Sequence, residues 1–193
     1  SSKAADSTGL RNSPTTTDRE ARAALRGFCI IHYRRSAMHR IGVISDTHRL
    51  VRPEALEALK GVKHIIHAGD IGEPSVIDEL SKVAPVTAVR GNVDVGDWAR
   101  RYPQTAVVKS DGVLLYVLHE LNRLDLDPGA AGFSAVIYGH SHAPSLEMRN
   151  GVLYFNPGSA GPRRFDLPVS IGFLNINDQE ASGEIVSLLR SDV

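Results

Sequence analysis

The chain has a single cysteine, Cys29, among 193 residues, so no intrachain disulfide can form and no thiolate cluster is present to select a soft metal. That usage suits a reducing, cytoplasmic setting. Neither sign of charge is in excess. Lys+Arg and Asp+Glu both number 22, so bulk electrostatics indicates neither nucleic acid nor an anionic membrane. Apolar runs approaching the ~20 residues of a bilayer-spanning helix are missing. So are the phosphate loops of nucleotide switches, G-x-x-x-x-G-K-[ST] or G-x-G-x-x-G after a strand. What remains is an ordinary globular composition, 42% hydrophobic and 23% charged, in a length that suits one domain with a sizeable core.

Hydrophobic periodicity divides the chain unevenly. Residues 1–37 are rich in Ser, Thr, Ala and Arg and show no sustained apolar pattern, so they read as a flexible N-terminal extension. Within them Thr17 and Glu20 form a candidate capping box for a short helix that Gly27 would end. Asp6, Asp18 and Glu20 argue against an organelle-targeting peptide, and Met38 reads as the natural start of the domain, residues 38–193.

From there, short β-rich runs alternate with helical patterns: strands near 41–45, 63–68 and 86–89, and helices near 53–60 and 74–83, each with proline in its first turn. This predicts a parallel sheet built from βαβ units. The second half reads as hairpins. Asp111-Gly112 separates strands at 105–110 and 113–118, Asn150-Gly151 separates strands at 145–148 and 152–155, and final strands fall near 170–176 and 184–189. The inventory predicts two packed sheets with helices outside them.

Five polar clusters each follow an apolar, strand-like run: Asp46-Thr-His48, Gly69-Asp70, Gly91-Asn92-Val-Asp94, His119, and Gly139-His140-Ser-His142. Loops at the carboxyl ends of strands converge on one edge of an open α/β sheet, so residues distant in sequence can meet there. Carboxylate, imidazole and amide groups are ligands for Mn²⁺, Fe, Ni²⁺ or Zn²⁺. A D-x-H triplet is weak evidence, but Gly-His-x-His, with 8 His and 17 Gly, arises by chance only about 0.03 times in such a chain. His64 and His67 lie inside the second strand and read as buried imidazoles that orient a loop or a ligand.

In these clusters, and in the Asn156-Pro-Gly-Ser159 loop followed by Pro162-Arg163, residues 39–190 resemble the calcineurin-like metallophosphoesterases, most closely their small bacterial and archaeal phosphodiesterase branch. The resemblance implies an α/β fold, a four-layer α/β/β/α sandwich of two mixed sheets with helices on both outer faces. It implies two divalent transition-metal ions, Mn²⁺ favoured, one held by Asp46, His48, Asp70 and His142, the other by a bridging Asp70 with Asn92, His119 and His140. Asp70, Asn92 and His140 would be the catalytic residues. The substrate would be a small phosphate ester, attacked by a hydroxide shared between the ions. Two departures stand out: Val93 replaces the histidine that in many relatives faces the leaving group, leaving Asp94 as an orienting residue, and the branch's His-Gly-His reads His119-Glu120-Leu121. An interaction scaffold of the same fold, like a retromer subunit of this superfamily, is the competing reading. It predicts loss of metal-site histidines, whereas Gly139-His140-Ser-His142 is complete.

Overall fold

The computed structural model describes residues 39–177 and 180–189. The expected extension, its Thr17-capped helix and Met38 lie outside the described residues. Among the described residues, ten strands and two α-helices follow in chain order: β1 (His39–Ile44), α1 (Pro53–Ala58), β2 (His64–His67), α2 (Pro74–Ser81), β3 (Val86–Ala88), β4 (Thr105–Ser110), β5 (Val113–Leu118), β6 (Ala135–Ile137), β7 (Ser145–Arg149), β8 (Val152–Asn156), β9 (Ser170–Asn177) and β10 (Glu180–Ser187). Both helices begin with proline at a position whose N–H would lack an intrahelical partner, and both connect parallel strands, as right-handed crossovers require.

The strands form two five-stranded mixed sheets. The first runs β10-β9-β1-β2-β3, with β1, β2 and β3 parallel and β9 antiparallel to β1. The second runs β4-β5-β6-β8-β7, parallel across β5-β6-β8 and antiparallel at both edges. Side-chain alternation allots each strand's apolar residues to different layers. Val43, Ile66, Leu115, Val117, Ile137 and Phe155 meet between the sheets, while Ile44, Ile65 and Phe173 pack outward under α1 and α2 with Leu59, Val76 and Leu80. Burying each such side chain contributes about 1.5–3 kcal/mol, so the inter-sheet layer and the layer under the helices both hold the sandwich together. On the outer face of the second sheet Tyr116, Leu118, Val136 and Tyr138 are covered by Leu121, Leu124, Leu126 and Phe133. The two-sheet α/β sandwich of the sequence reading is thus present. Among the described residues its fourth layer is a 3₁₀ turn, Leu121–Arg123, with adjoining loop, while the α-helices lie outside the first sheet.

Parallel strands β1, β2, β3, β5 and β6 end at the same edge of the sandwich, and each is followed by one of the polar clusters.

Candidate metal centre

Two glycines of these clusters are required by close approach. A Cβ at Gly91 would collide with Asp70 Oδ1, and one at Gly139 with Ser45 Oγ, so the loops after β3 and β6 can lie against the first two only as glycine. Backbone strain concentrates here as well. Asp46, His48, Asp70, His140 and His142 have φ of 54°, 47°, 55°, 70° and 59°, the left-handed region that L side chains seldom occupy. Such conformations cost about 1–3 kcal/mol each and persist where the surroundings over-determine them.

The surroundings do so through three devices. Asp94, 5% exposed, accepts backbone N–H bonds from Ile71 (3.1 Å), Gly72 (2.7 Å) and Gly91 (2.8 Å), tying the loop after β2 to the loop after β3. His67, fully buried, accepts the Gly69 N–H at Nδ1 (3.2 Å), so its Nε2–H donates to Thr47 Oγ1 (2.9 Å), whose hydroxyl donates to the Ile71 carbonyl (3.0 Å). That relay fixes the imidazole tautomer and joins the loops after β1 and β2; burial pushes the His67 pKa down to about 3, so the ring stays neutral. Finally, Asn156 Nδ2 donates to the Gly139 carbonyl (3.0 Å) and Ser159 Oγ to the Asp46 carbonyl (3.0 Å). The Asn-Pro-Gly-Ser loop is therefore a strap across the loops after β1 and β6.

Held this way, the side chains converge in two groups, Asp46-His48-His142 and Asp46-Asp70-His119, within each of which one ligand atom per residue lies within 4.8 Å of the others. His142 Nε2 lies 3.3 Å from Asp46 Oδ1 and 3.3 Å from His48 Nε2. Asp70 faces both ways: Oδ1 is 3.2 Å from His119 Nε2 and Oδ2 is 3.8 Å from His48 Nε2. Asn92 Oδ1 and His140 Nδ1 pair with each other at 3.0 Å, and the His140 ring stands edge-on to His119 with centroids 5.2 Å apart. All seven residues named from sequence are thus at one edge, with His140 and Asn92 on its exposed rim rather than in the two convergent groups.

Burial shapes their protonation. It holds the Asp46 carboxyl up at about 6 and pushes His142 down to about 4, with His48 also below the usual histidine range. Burial opposes charge on Asp70 and His119 too, but their mutual proximity prevails, leaving Asp70 below and His119 above their ordinary values. The His119 Nδ1–H donates to the Ala68 carbonyl (2.7 Å), which turns Nε2 toward Asp70; in the neutral ring this sets acceptor against acceptor, a conflict that a proton or a cation between them removes. Asp46 Oδ1, His119 Nε2 and His142 Nδ1 are buried without hydrogen-bond partners. Unsatisfied buried polar atoms are costly, and a cation at the convergence points is what this donor set fits.

The sequence reading missed Arg164, whose Nη2 reaches to 3.3 Å from His48 Nε2. The Pro162-Arg163 signal pointed to the right loop but not to the arginine that enters. The reading of Asp94 as an orienting residue holds with a different object: its carboxylate orients backbone, and both oxygens are engaged.

The sequence model of the calcineurin-like phosphoesterase superfamily domain matches residues 39–179, and the chain belongs to that family. A probable metallophosphoesterase of Methanothermobacter thermautotrophicus is 32% identical over 161 residues, which are 76% of this chain and 91% of that protein. Among solved structures, that of a novel archaeal phosphodiesterase superposes with a TM-score of 0.64 at 26% identity, covering 76% of this chain and 99% of the other. Vps29 of Entamoeba histolytica in complex with Zn²⁺ superposes with a TM-score of 0.58 at 20% identity, covering 78% of this chain and 99% of the other, a likeness of fold. The family is one of metal-dependent phosphoric ester hydrolases. No described helix is long and apolar enough to cross a membrane.

Proposed function

We propose that this protein is a cytoplasmic, metal-dependent phosphodiesterase acting on small phosphate esters through two divalent transition ions, Mn²⁺ favoured. Asp46, His48, Asp70 and His142 would hold one ion, and Asp70, Asn92, His119 and His140 the other. The observation that carries the reading is Asp70, whose Oδ1 faces His119 of one group and whose Oδ2 faces His48 of the other, an arrangement open to a ligand shared by two ions, although the residue common to both convergent groups is Asp46. Bound there, the ions would supply Lewis acidity, lowering the pKa of a water and drawing charge from phosphoryl oxygens.

The protein's own groups supply the rest. Two carboxylates against two dications leave the centre positive, so it attracts an anionic ester. Arg164 adds a cation at its mouth, within reach of a non-bridging oxygen. Asn92 and His140 on the rim orient the phosphoryl group, and the buried strap and relay keep every ligand in place before substrate arrives. The likeness to Vps29 stands behind the alternative, an interaction scaffold of the same fold; the complete ligand set favours the enzyme.

The test is hydrolysis of bis(4-nitrophenyl) phosphate by protein loaded separately with Mn²⁺, Fe²⁺, Ni²⁺ or Zn²⁺, with metal content measured on the same samples. Turnover is expected with metal and near-complete loss in Asp70→Ala, together with loss of bound metal. Full activity in Asp70→Ala or after chelation would refute the two-metal mechanism, and metal binding without hydrolysis of any ester would favour the scaffold.

A further inference from the structure

A cavity of about 360 Å³ opens beside the metal centre on its Asn92 and His119 side. Its volume falls within the range of small-molecule sites. Val93, by contrast, lines a separate recess of about 160 Å³ with His48, Arg49 and Gly72. The metal centre is thus flanked by a large pocket and a small one.

The larger pocket has a specific chemistry. Tyr116, 8% exposed, and Leu118 supply an apolar floor from β5. Around it stand two guanidinium groups, Arg90 and Arg123, two carboxylates, Glu120 and Asp125, and the Gln104 amide. The formal charges cancel, so the wall does not select a second anion, and Glu120 beside the phosphoryl position would repel one. Arg123 Nε holds Glu120 Oε1 at 3.0 Å, and the Glu120 side chain is 15% exposed, so its carboxylate is oriented rather than free to swing. Arg90 is likewise held, Nη1 donating to the Tyr102 carbonyl at 3.0 Å. Oriented carboxylates accept from paired hydroxyls, as an acidic side chain does from a ribose in dinucleotide sites. Gln104 and the arginines offer hydrogen bonds to a polar ring edge, and the tyrosine and leucine offer it a face.

We propose that this pocket receives one ester substituent of the diester, and that the substituent is an uncharged group with vicinal hydroxyls and a planar ring, of ribonucleoside type, with Glu120 as the acceptor for the hydroxyls. The proposal rests on the phosphodiesterase reading for its kinetics but not for its binding. Glu120 occupies the position where the resemblance implies a glycine, and it is this residue that gives the pocket wall its oriented carboxylate.

Three diesters with the same nitrophenolate leaving group isolate the substituent: the 4-nitrophenyl esters of adenosine 5′-phosphate, of 2′-deoxyadenosine 5′-phosphate and of methyl phosphate. With Mn²⁺-loaded full-length protein, kcat/KM is expected to be about tenfold higher for the ribonucleoside ester than for the other two, the order expected for a hydrogen bond to a charged group. Glu120→Gln should reduce that preference at least fivefold, mainly through KM, and Glu120→Ala serves as a second variant should the first unfold. Adenosine itself, titrated by calorimetry, should bind the wild type more tightly than deoxyadenosine and lose that margin in Glu120→Gln. Equal kcat/KM for the three esters, or ribose preference intact in both variants, overturns the proposal. If no ester is hydrolysed, the phosphodiesterase reading fails separately, and the adenosine titration still decides: a margin that depends on Glu120 supports the pocket, and its absence refutes it.

Discussion

Replacing Asp94 by asparagine tests whether the candidate metal centre is assembled by backbone anchoring. The carboxylate accepts three N–H groups, Oδ1 from Gly72 and Oδ2 from Ile71 and Gly91. Asparagine has nearly the same shape but only one oxygen. If that oxygen takes the place of Oδ2, the Gly72 N–H faces an amide NH₂ and is left unsatisfied, and two bonds to a charged acceptor become bonds to a neutral one. A stranded buried donor costs about 1–3 kcal/mol, and loss of charge assistance lowers each remaining bond by about half, giving roughly 3 kcal/mol in total. For a domain of this size that is about a 10 °C fall in Tm. The loops so released carry Asp70 and Asn92, so metal affinity should fall in the same variant. Urea unfolding and metal titration of Asp94→Asn and wild type measure both. A stability within 0.5 kcal/mol of wild type, with unchanged metal affinity, would show that the three bonds do not hold the loops together.

Metal affinity should weaken as pH falls: Asp46 titrates at about 6, so it is about nine-tenths protonated at pH 5 and ionised at pH 7.5, a tenfold loss of affinity before the His119 proton is counted, measurable by competitive chelation. Stability should be undiminished by His67 above pH 6.5 and should decline below it by up to about 1.4 kcal/mol per pH unit toward pH 3, because the folded protein keeps the ring neutral while the unfolded chain binds the proton; His67→Gln should flatten that slope in urea titrations. Arg164→Ala should raise KM for nitrophenyl diesters several-fold with metal content unchanged; an unaltered KM would place the guanidinium outside the substrate's reach. Val93→His should change turnover of alkyl esters less than tenfold, below the ~10²–10⁴ of a positioned general acid, since Asp94 has no oxygen to spare for the new ring; a hundredfold gain in an alkyl-ester assay would show that another group orients it.

The sequence disclosed those features whose causes are local. Asp111-Gly112 and Asn150-Gly151 mark hairpin turns because all four residues take positive φ, which few other residue pairs accept, and both hairpins are where the dipeptides put them. Ligand residues were legible because each follows an apolar strand. Strand β6 was legible only as an apolar run before Gly139, without bounds: Ala135–Ile137 is three residues long and buried throughout, so it has no alternation to display. β10 begins at Glu180 rather than near 184, a start the sequence hides because the first residues, Glu-Ala-Ser-Gly, lack the β-branched and aromatic character of a strand. The anchors were the least visible. Asp94, His67 and Asn156 act on main-chain groups up to 23 positions away or through a hydroxyl relay, and such bonds impose no spacing on the sequence.

Anchors and strain together explain why the site belongs at this edge of the sandwich. Five left-handed residues and three unpartnered buried polar atoms are unfavourable in the protein alone, and none of them contributes to the apolar core. They are tolerated because the loops that carry them leave strands already fixed by the inter-sheet layer, and because carboxylate, imidazole and amide groups of residues outside the ligand set tie those loops to one another. Two ligand oxygens do take part, His140 N–H donating to Asp46 Oδ2 at 3.1 Å and Val93 N–H to Asp70 Oδ1 at 3.1 Å. Asp46 Oδ1 and His119 Nε2, by contrast, carry no hydrogen bond and face the convergence points. A divalent ion can therefore relieve those two atoms while Asp94, His67 and Asn156, none of them a ligand, continue to hold the loops.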